Sequence, residues 1–309
     1  LVTIQPLNKS KKRGWFIRNS ELDNCGWTAT EDDFEKGSVI FDYEQTFGMP
    51  PTTTKEQGLN FQAPRVQILL RSPLMVEETG GMKRVIGTFD DDEVKAIFDN
   101  DKVASDLASS KGEMRKRHYI VRTKYLVYLL TKENKRAHKI PMVLTLKGLN
   151  GFDASEKIRM YEKEMSKCLS KALDTEVPMQ YNEQFYATTV FCPQLSNEER
   201  GANNVEICAV ESFDIPEYQN QDAAIESLDR LCIPDEDRES TWKYQEMYND
   251  YINQHAKQDV SRTNGSYGIK EGVEILPQSR TVPAEVVDEG PVKLMASATK
   301  DSLGADSHF

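Results

Sequence analysis

The sequence predicts an α+β fold, with an antiparallel β-sheet or OB-like barrel, packed helices and a disordered C-terminal tail. Three observations predict this class. The run from His118 to Thr131 is long, β-branched and aromatic, which is typical of a strand. Apolar residues recur at three- and four-residue steps after Asp153, the period of an amphipathic helix. After Val260 few large apolar residues remain, so that segment cannot bury enough surface to fold.

Residues 1–59 are predicted to be an N-terminal extension with short strands. Trp15, Phe16 and Trp27 in this extension need a core or a ligand to cover them. Residues 49–58 have the Pro-Pro and threonine-rich composition of a turn or linker.

A β-rich core domain is predicted over residues 60–215. Its first strand region runs from Arg65 to Val76, and Pro73 marks an edge or a bulge. Gly80-Gly81 then supplies a hairpin turn. The acids Asp90 to Glu93 open a helix that reaches about Ala108, because acids can cap the free amides of a first turn.

The strongest local prediction is a strand, turn, strand and helix unit in the middle of this domain. The strand from His118 to Thr131 turns at residues 132–135 and pairs with a strand from Ile140 to Lys147. Asp153 then fits a helix N-cap, with Glu156 completing a capping box. The apolar face of this helix comprises Ile158, Tyr161, Met165, Cys168, Leu169 and Ala172.

Two further strands are expected at residues 184–192 and 204–213. A helical extension over residues 216–259 follows, with helices at about 223–231 and 237–257. Residues 260–309 form the predicted disordered tail.

Composition and cysteine usage predict a soluble, cytoplasmic protein. The hydrophobic fraction of 38% is low and the charged fraction of 29% is high, as when a folded part is diluted by polar segments. No membrane-spanning run and no secretory signal is legible, and the start at Leu1 suggests a fragment or a processed product. The five cysteines are odd in number and widely spaced, which favours free buried thiols over disulfides.

Charge is distributed unevenly along the chain, whose net charge is −11. Residues 111–148 hold eleven Lys or Arg and two acids, whereas residues 211–309 hold twenty acids and nine bases. One part of the protein therefore attracts polyanions, while the other repels or mimics them.

Motifs of known enzyme classes are absent from the sequence, so a non-catalytic protein without a cofactor or metal is expected. There is no phosphate-binding glycine loop, nucleophile elbow or paired-cysteine metal motif, and the four histidines have no diagnostic spacing. The triplet from Glu93 to Lys95, close behind aspartates, leaves a metal-dependent nuclease as an alternative. Capping of a helix explains the same acids.

The basic segment is the candidate functional site. Its cations can neutralise phosphates, and Tyr119, Tyr125 or Tyr128 can stack on bases if their rings lie on an open sheet face. Two alternatives stay open: a solvated lysine-rich edge whose tyrosines belong to the core, and contact with an acidic protein. The predicted nucleic-acid-binding residues are Arg115, Lys116, Arg117, Tyr119, Arg122, Lys124, Tyr125, Tyr128, Lys132, Lys135, Arg136, Lys139 and Lys147.

A resemblance supports this hypothesis. The segments PRVQILLRSPL, RVIGTFDDD and KYLVYLLTKENKRAHKIPMVLTLKG, with the helix from Ala154, resemble an uncharacterised family of cyanobacterial and phage-like proteins. More loosely, they resemble phage or plasmid single-stranded DNA-binding proteins with OB-like cores. The resemblance covers roughly residues 60–215. It implies a small antiparallel sheet or barrel with a helix packed across it.

The leading functional prediction is sequence-independent binding of single-stranded nucleic acid. The alternative from another class is a structural or adaptor protein of phage or mobile-element origin that binds a protein partner. The C-terminal tail is a further candidate for contact with a protein partner, and a homo-oligomer is a further candidate assembly. No membrane contact is expected.

Overall fold

The strand that the sequence predicts most clearly, Tyr119–Leu130, lies inside a large sheet, where it pairs with three other strands. The computed structural model describes residues 1–8, 13–49, 52–79, 84–113, 115–175, 182–200 and 205–261. Within them lie twelve strands: β1 (Thr3–Pro6), β2 (Trp15–Arg18), β3 (Val39–Met49), β4 (Thr52–Phe61), β5 (Arg65–Arg71), β6 (Met75–Glu78), β7 (Val85–Thr88), β8 (Tyr119–Leu130), β9 (Met142–Lys147), β10 (Val190–Phe191), β11 (Pro193–Arg200) and β12 (Val205–Phe213). The predicted tail after residue 261 lies outside the described residues.

Six α-helices accompany these strands in the described part of the chain. They are α1 (Asn19–Cys25), α2 (Asp92–Ser110), α3 (Gly148–Ala172), α4 (Glu183–Tyr186), α5 (Gln221–Leu231) and α6 (Arg238–Ser261). None of these described helices is both long and apolar enough to cross a membrane.

Ten strands form one sheet in the order β10-β5-β8-β9-β1-β2-β4-β3, with β6 and β7 attached beside β8. All neighbours are antiparallel except β1 and β9, which run parallel. The strands β11 and β12 form a separate two-stranded ribbon. The α+β class with a mostly antiparallel sheet is therefore confirmed. In the described residues, the end strands β10 and β3 do not pair with each other, so this sheet is open and is not a closed barrel.

The twelve-residue strand β8 connects the two halves of the sheet. It pairs with β9 along one edge, while its other edge pairs first with β6 and then with β5. Pro73 lies in the break between β5 and β6, as expected for a residue that cannot donate to a ladder. The β6–β7 hairpin is confirmed, although its turn at residues 80–83 lies outside the described residues.

One face of the sheet is covered by α3 along its length. Ile158, Tyr161, Met165 and Cys168 are buried along α3, which confirms the predicted amphipathic face. Ile158, Tyr161 and Met165 join a core cluster that draws on β1, β2, β4, β5, β8, β9 and α6. The strands β1 to β4 therefore pair into the large sheet, and Trp15 and Ile17 of the predicted N-terminal extension belong to the same hydrophobic core.

Three sequence predictions about the elements were wrong. Residues 52–58, expected in a turn or linker, lie in β4 and pair with β3. The helix α3 begins at Gly148, five residues before the expected N-cap, and Asp153 instead accepts a hydrogen bond from the Val210 backbone N–H (2.8 Å). The strand expected at residues 184–192 is divided between α4 and the short β10. Asn182 caps α4 by accepting from the Phe185 backbone N–H, a local preference that overrides the apolar pattern.

All five cysteines are free and buried, as expected. Burial raises the pKa of the Cys192 and Cys232 thiols to about 12. These thiols are accordingly core residues that stay protonated near neutral pH.

Candidate nucleic-acid interface

The predicted basic residues lie at two separate ends of β8. Arg115, Lys116 and Arg117 precede the strand, whereas Lys132, Lys135, Arg136 and Lys139 follow it. A twelve-residue strand spans roughly 36 Å at about 3.3 Å per residue. The two groups therefore cannot line one short groove, contrary to the sequence interpretation.

Cations before β8 hold α2 against the sheet. The Asp101 carboxylate, 5% exposed, accepts hydrogen bonds from the backbone N–H groups of His118 (2.8 Å) and Tyr119 (3.1 Å). It also pairs with the Arg115 guanidinium at 3.2 Å, and Arg117 pairs with Asp106 at 3.5 Å. Lys116 is exposed beside them.

Arg136, after β8, is built into the protein interior. Its guanidinium is 14% exposed and donates to Gln67, Ser240 and Thr241. It also lies 4.3 Å from the centre of the Tyr128 ring, within cation–π range. This arrangement joins α6 to the sheet and leaves Arg136 little freedom to meet a phosphate.

The lysines around that end are exposed. Lys132 donates to the Asp32 backbone carbonyl (2.7 Å), Lys135 pairs with Glu133 (2.8 Å), and Lys139 lies on the surface. These contacts match the alternative of a solvated lysine-rich edge.

Two of the three predicted stacking rings are sealed in the core. Tyr125 and Tyr128 are fully buried. The Tyr125 hydroxyl bonds to Ser155 of α3 (2.7 Å), and Tyr128 packs between His138 and Tyr244. Burial raises the pKa of both phenols. The stacking role expected for these two rings is therefore excluded, while Tyr119 is half-buried beside Asp101.

Two predicted residues, Arg122 and Lys147, do meet on an open face of the sheet. They are direct cross-strand partners on β8 and β9. Both pair with the buried Glu77 carboxylate of β6, Arg122 at 2.8 Å and Lys147 at 2.6 Å. Arg122 is 12% exposed and Lys147 40% exposed, so the lysine lies at the surface of this charged cluster.

A groove of about 520 Å³ extends from this cluster over β9, β1 and β2. Register places the side chains of Thr145, Gln5, Phe16 and Arg18 along it, one strand after another. Lys124 lies opposite Thr145 and so shares this face. Tyr128 lies on the same face of β8 as Arg122 and Lys124, and Tyr244 of α6 packs against it. The helix α6 therefore covers one part of this face, and the groove lies on the other part. We call it the sheet-face groove.

The far end of the sheet-face groove lies on β2, in a region where short strands were expected but no site residue was predicted. Arg18 pairs with Glu56 at 2.7 Å and Glu21 at 3.9 Å, and its side chain remains 41% exposed. Phe16 is buried beneath the groove and makes an edge contact with the half-buried Tyr43 (6.0 Å between ring centres). A four-residue strand such as β2 is too short to show a period, so only its neighbours reveal which side Arg18 faces.

The acid cluster proposed for a nuclease caps α2. The Asp91 carboxylate accepts from the backbone N–H groups of Glu93 (2.9 Å) and Val94 (3.3 Å), as a helix N-cap does. In the part of the chain that the structure describes, no three His, Cys, Asp or Glu residues are grouped to hold a metal ion.

Comparison with known proteins places the chain in a family. A family model described as a domain of unknown function, DUF5895, matches residues 1–261. The chain belongs to the DUF5895 family. The match ends where α6 of this DUF5895 chain ends, so it includes every strand of the sheet-face groove. No curated protein and no solved structure matches the sequence.

Proposed function

We propose that this DUF5895 protein binds single-stranded nucleic acid without sequence preference along the sheet-face groove. The observation that carries the proposal is the convergence of Arg18, Arg122 and Lys147 on one open polar sheet face. Lysine and arginine are the side chains that neutralise phosphates, and a polar groove on a sheet can follow a strand.

The groove cations already have carboxylate partners, which sets the strength of binding that we expect. Arg122 and Lys147 share Glu77, while Arg18 has Glu56 and Glu21. Only Lys147 and Arg18 are exposed enough to turn toward a phosphate without leaving a buried charge alone. We therefore expect about two phosphate contacts and moderate affinity.

This proposal retains the looser resemblance to phage or plasmid single-stranded DNA-binding proteins. In the proposal, α3 covers one face of the antiparallel sheet, and the cations lie on the part of the other face that α6 leaves open. The proposed aromatic contribution differs from the first expectation. Tyr43, a half-buried ring in contact with Phe16 of the groove, replaces Tyr125 and Tyr128, which are buried in the core.

A salt titration tests the proposal. Fluorescence anisotropy of a labelled dT oligonucleotide is measured with the full chain between about 20 and 300 mM salt. Two phosphate contacts predict that log K falls with log salt at a slope of about −1.4 for a single strand. Absent binding, or binding that does not change with salt, would contradict the proposal.

A second candidate function is that of an adaptor that binds a protein. Trp242 (38% exposed) and Met247 (58% exposed) are large apolar side chains at the surface of α6, which favours a protein contact there. Pull-downs from nuclease-treated lysate, combined with size exclusion and light scattering, test this candidate. Partners or stable oligomers that persist without nucleic acid would support it over the first proposal.

A further inference from the structure

A second cavity, of about 360 Å³, lies where the outer edge of β5 meets α3, α4 and α6. In the described residues β10 pairs only with the start of β5, so the stretch from Ile68 to Arg71 has no strand beside it on that edge. We call this space the β5-edge cavity. It shares no lining residue with the sheet-face groove, and its volume is near the lower end of the range of about 300–1,000 Å³ that ligand pockets cover. Its lining includes Ile68, Arg71, Pro73, Tyr125, Glu162 and Glu183.

Arg71 contributes a cation to the sheet wall of the β5-edge cavity. It is the direct cross-strand partner of Tyr125, so the two side chains lie on the same face of the sheet. The Tyr125 hydroxyl bonds to Ser155 of α3, which identifies this as the face that α3 covers. The Arg71 side chain is exposed, and its guanidinium has no hydrogen bond or ion pair with any described residue.

Glu162 contributes a carboxylate to the opposite wall, which is α3. It follows Ser155 by seven residues and Ile158 by four, so the three side chains lie on one side of the helix. Glu162 is half-buried and has no hydrogen bond or ion pair with the described residues. The buried side-chain oxygens that lack a partner in the described residues belong to other residues, so the Glu162 oxygens are open to solvent.

Arg71 and Glu162 interact across this cavity without contact. Burial raises the pKa of the Glu162 carboxyl, and the positive charge of Arg71 opposes the shift. The two charged groups are therefore within electrostatic reach of each other, although they lie beyond ion-pair distance. The carboxylate of Glu183, which is exposed, also lines the cavity and adds to the rise in the pKa of Glu162.

The charges of the β5-edge cavity indicate the class of ligand that fits it. Arg71 repels a ligand that is only positive, whereas Glu162 and Glu183 repel a ligand that is only negative. A ligand that carries both charges close together gives Arg71 and Glu162 a partner each. Ile68 lies on the same sheet face as Arg71, and both Ile68 and Pro73 are half-buried, so they offer apolar contact to the body of the ligand.

We infer that the β5-edge cavity binds a small zwitterion of the α-amino-acid class, whose carboxylate pairs with Arg71 and whose ammonium group pairs with Glu162. A guanidinium can bind a carboxylate through two parallel hydrogen bonds, and a carboxylate accepts the N–H groups of an ammonium ion. This site goes beyond the proposed function, because none of its residues lies in the sheet-face groove.

Calorimetric titration of the full chain with each of the common L-amino acids tests the site. The tightest-binding amino acid is then compared with its amide, which lacks the carboxylate, and with its N-acetyl derivative, which lacks the ammonium group. Arg71→Gln and Glu162→Gln remove the two protein charges. Glu156→Gln is the matched control, because Glu156 is an exposed acid of α3 outside the cavity lining. Thermal unfolding establishes that each variant is folded at the assay temperature.

We expect the amide and the N-acetyl derivative each to bind the wild-type protein about tenfold or more weakly than the free amino acid, because each lacks one charge-assisted contact. Arg71→Gln should weaken the free amino acid by a similar factor and abolish its advantage over the amide. Glu162→Gln should do the same relative to the N-acetyl derivative, and Glu156→Gln should bind as the wild type does. Absence of binding by every amino acid, equal binding of the three forms, or binding that neither cavity substitution weakens would overturn the site.

Discussion

Glu77 shows how single residues set the character of the sheet-face groove. Its carboxylate is 2% exposed, and it has two cations within 3 Å, Arg122 and Lys147. A buried charge of this kind is tolerated only while its partners remain. Arg122, which is more buried, therefore has a structural role in this cluster, whereas Lys147, which is more exposed, is accessible to a ligand.

Substitution of the two cations should separate these parts. We expect Arg122→Gln to lower the free energy of unfolding by about 2–4 kcal/mol, because it removes the more buried partner of a buried carboxylate. Lys147→Gln should cost about 1 kcal/mol or less, because its side chain is 40% exposed and Arg122 still pairs with Glu77. Urea unfolding measures both values. Equal losses in the free energy of unfolding would contradict a mainly structural role for Arg122 and a mainly ligand-accessible role for Lys147.

His138 gives a second prediction at the residue scale. Its Nε2 accepts from the Leu129 backbone N–H (2.9 Å), and its Nδ1 bonds to the Ile140 carbonyl (2.8 Å), so the ring is held neutral. Burial, followed by the nearby Arg136, lowers the pKa of His138 from 6.5 to about 4, although the bond to Ile140 opposes this shift. The unfolded chain then binds a proton between these pH values and the folded chain does not.

Stability should therefore fall as the pH drops from about 6.5 to 4, by about 3 kcal/mol from this residue alone. His138→Gln should lose that part of the pH dependence, whatever its effect on stability at pH 7. Unfolding free energies of both proteins, measured by urea denaturation at half-unit pH steps, provide the comparison. The same pH dependence in both proteins would contradict the assignment.

At the scale of elements, the acid run before α2 illustrates a choice between capping and catalysis. Only one of its aspartates, Asp91, bonds to the free N–H groups of the helix. Asp91→Ala should lower the free energy of unfolding by about 1 kcal/mol. Asp90→Ala, the matched control, should change it by less than about 0.5 kcal/mol. Thermal or urea unfolding separates the two, and a larger loss in Asp90→Ala would show that the cap is misassigned.

Element prediction succeeded where the sequence period was long enough to be read. The strands β8 and β9 and the helix α3 each had at least six residues of regular pattern, and all three are present. The strands β1 and β2, four residues each, gave no period, yet they carry Gln5 and Arg18 into the groove. The beginning of α3 was also missed, because Gly148 and Gly151 suggested a break where the helix already runs.

At the scale of the whole molecule, the basic segment of the sequence does not form one basic surface in the structure. The cations around β8 are separated by the length of the strand, and several serve to hold α2 and α6. Linear charge counts cannot reveal this, because ion pairs join residues distant in sequence, such as Glu77 with Lys147. In the described residues, the pairing of β9 with β1 and of β1 with β2 brings Lys147 and Arg18 to the same groove.

The central claim is that the sheet-face groove, and not the lysine-rich turn after β8, meets the phosphates of a bound strand. A salt titration of dT binding by Lys147→Gln and by the matched variant Lys135→Gln tests it most directly. We predict weaker binding and a salt slope smaller by about 0.7 for Lys147→Gln, with wild-type behaviour for Lys135→Gln. Wild-type binding by Lys147→Gln together with a loss in Lys135→Gln would contradict the account.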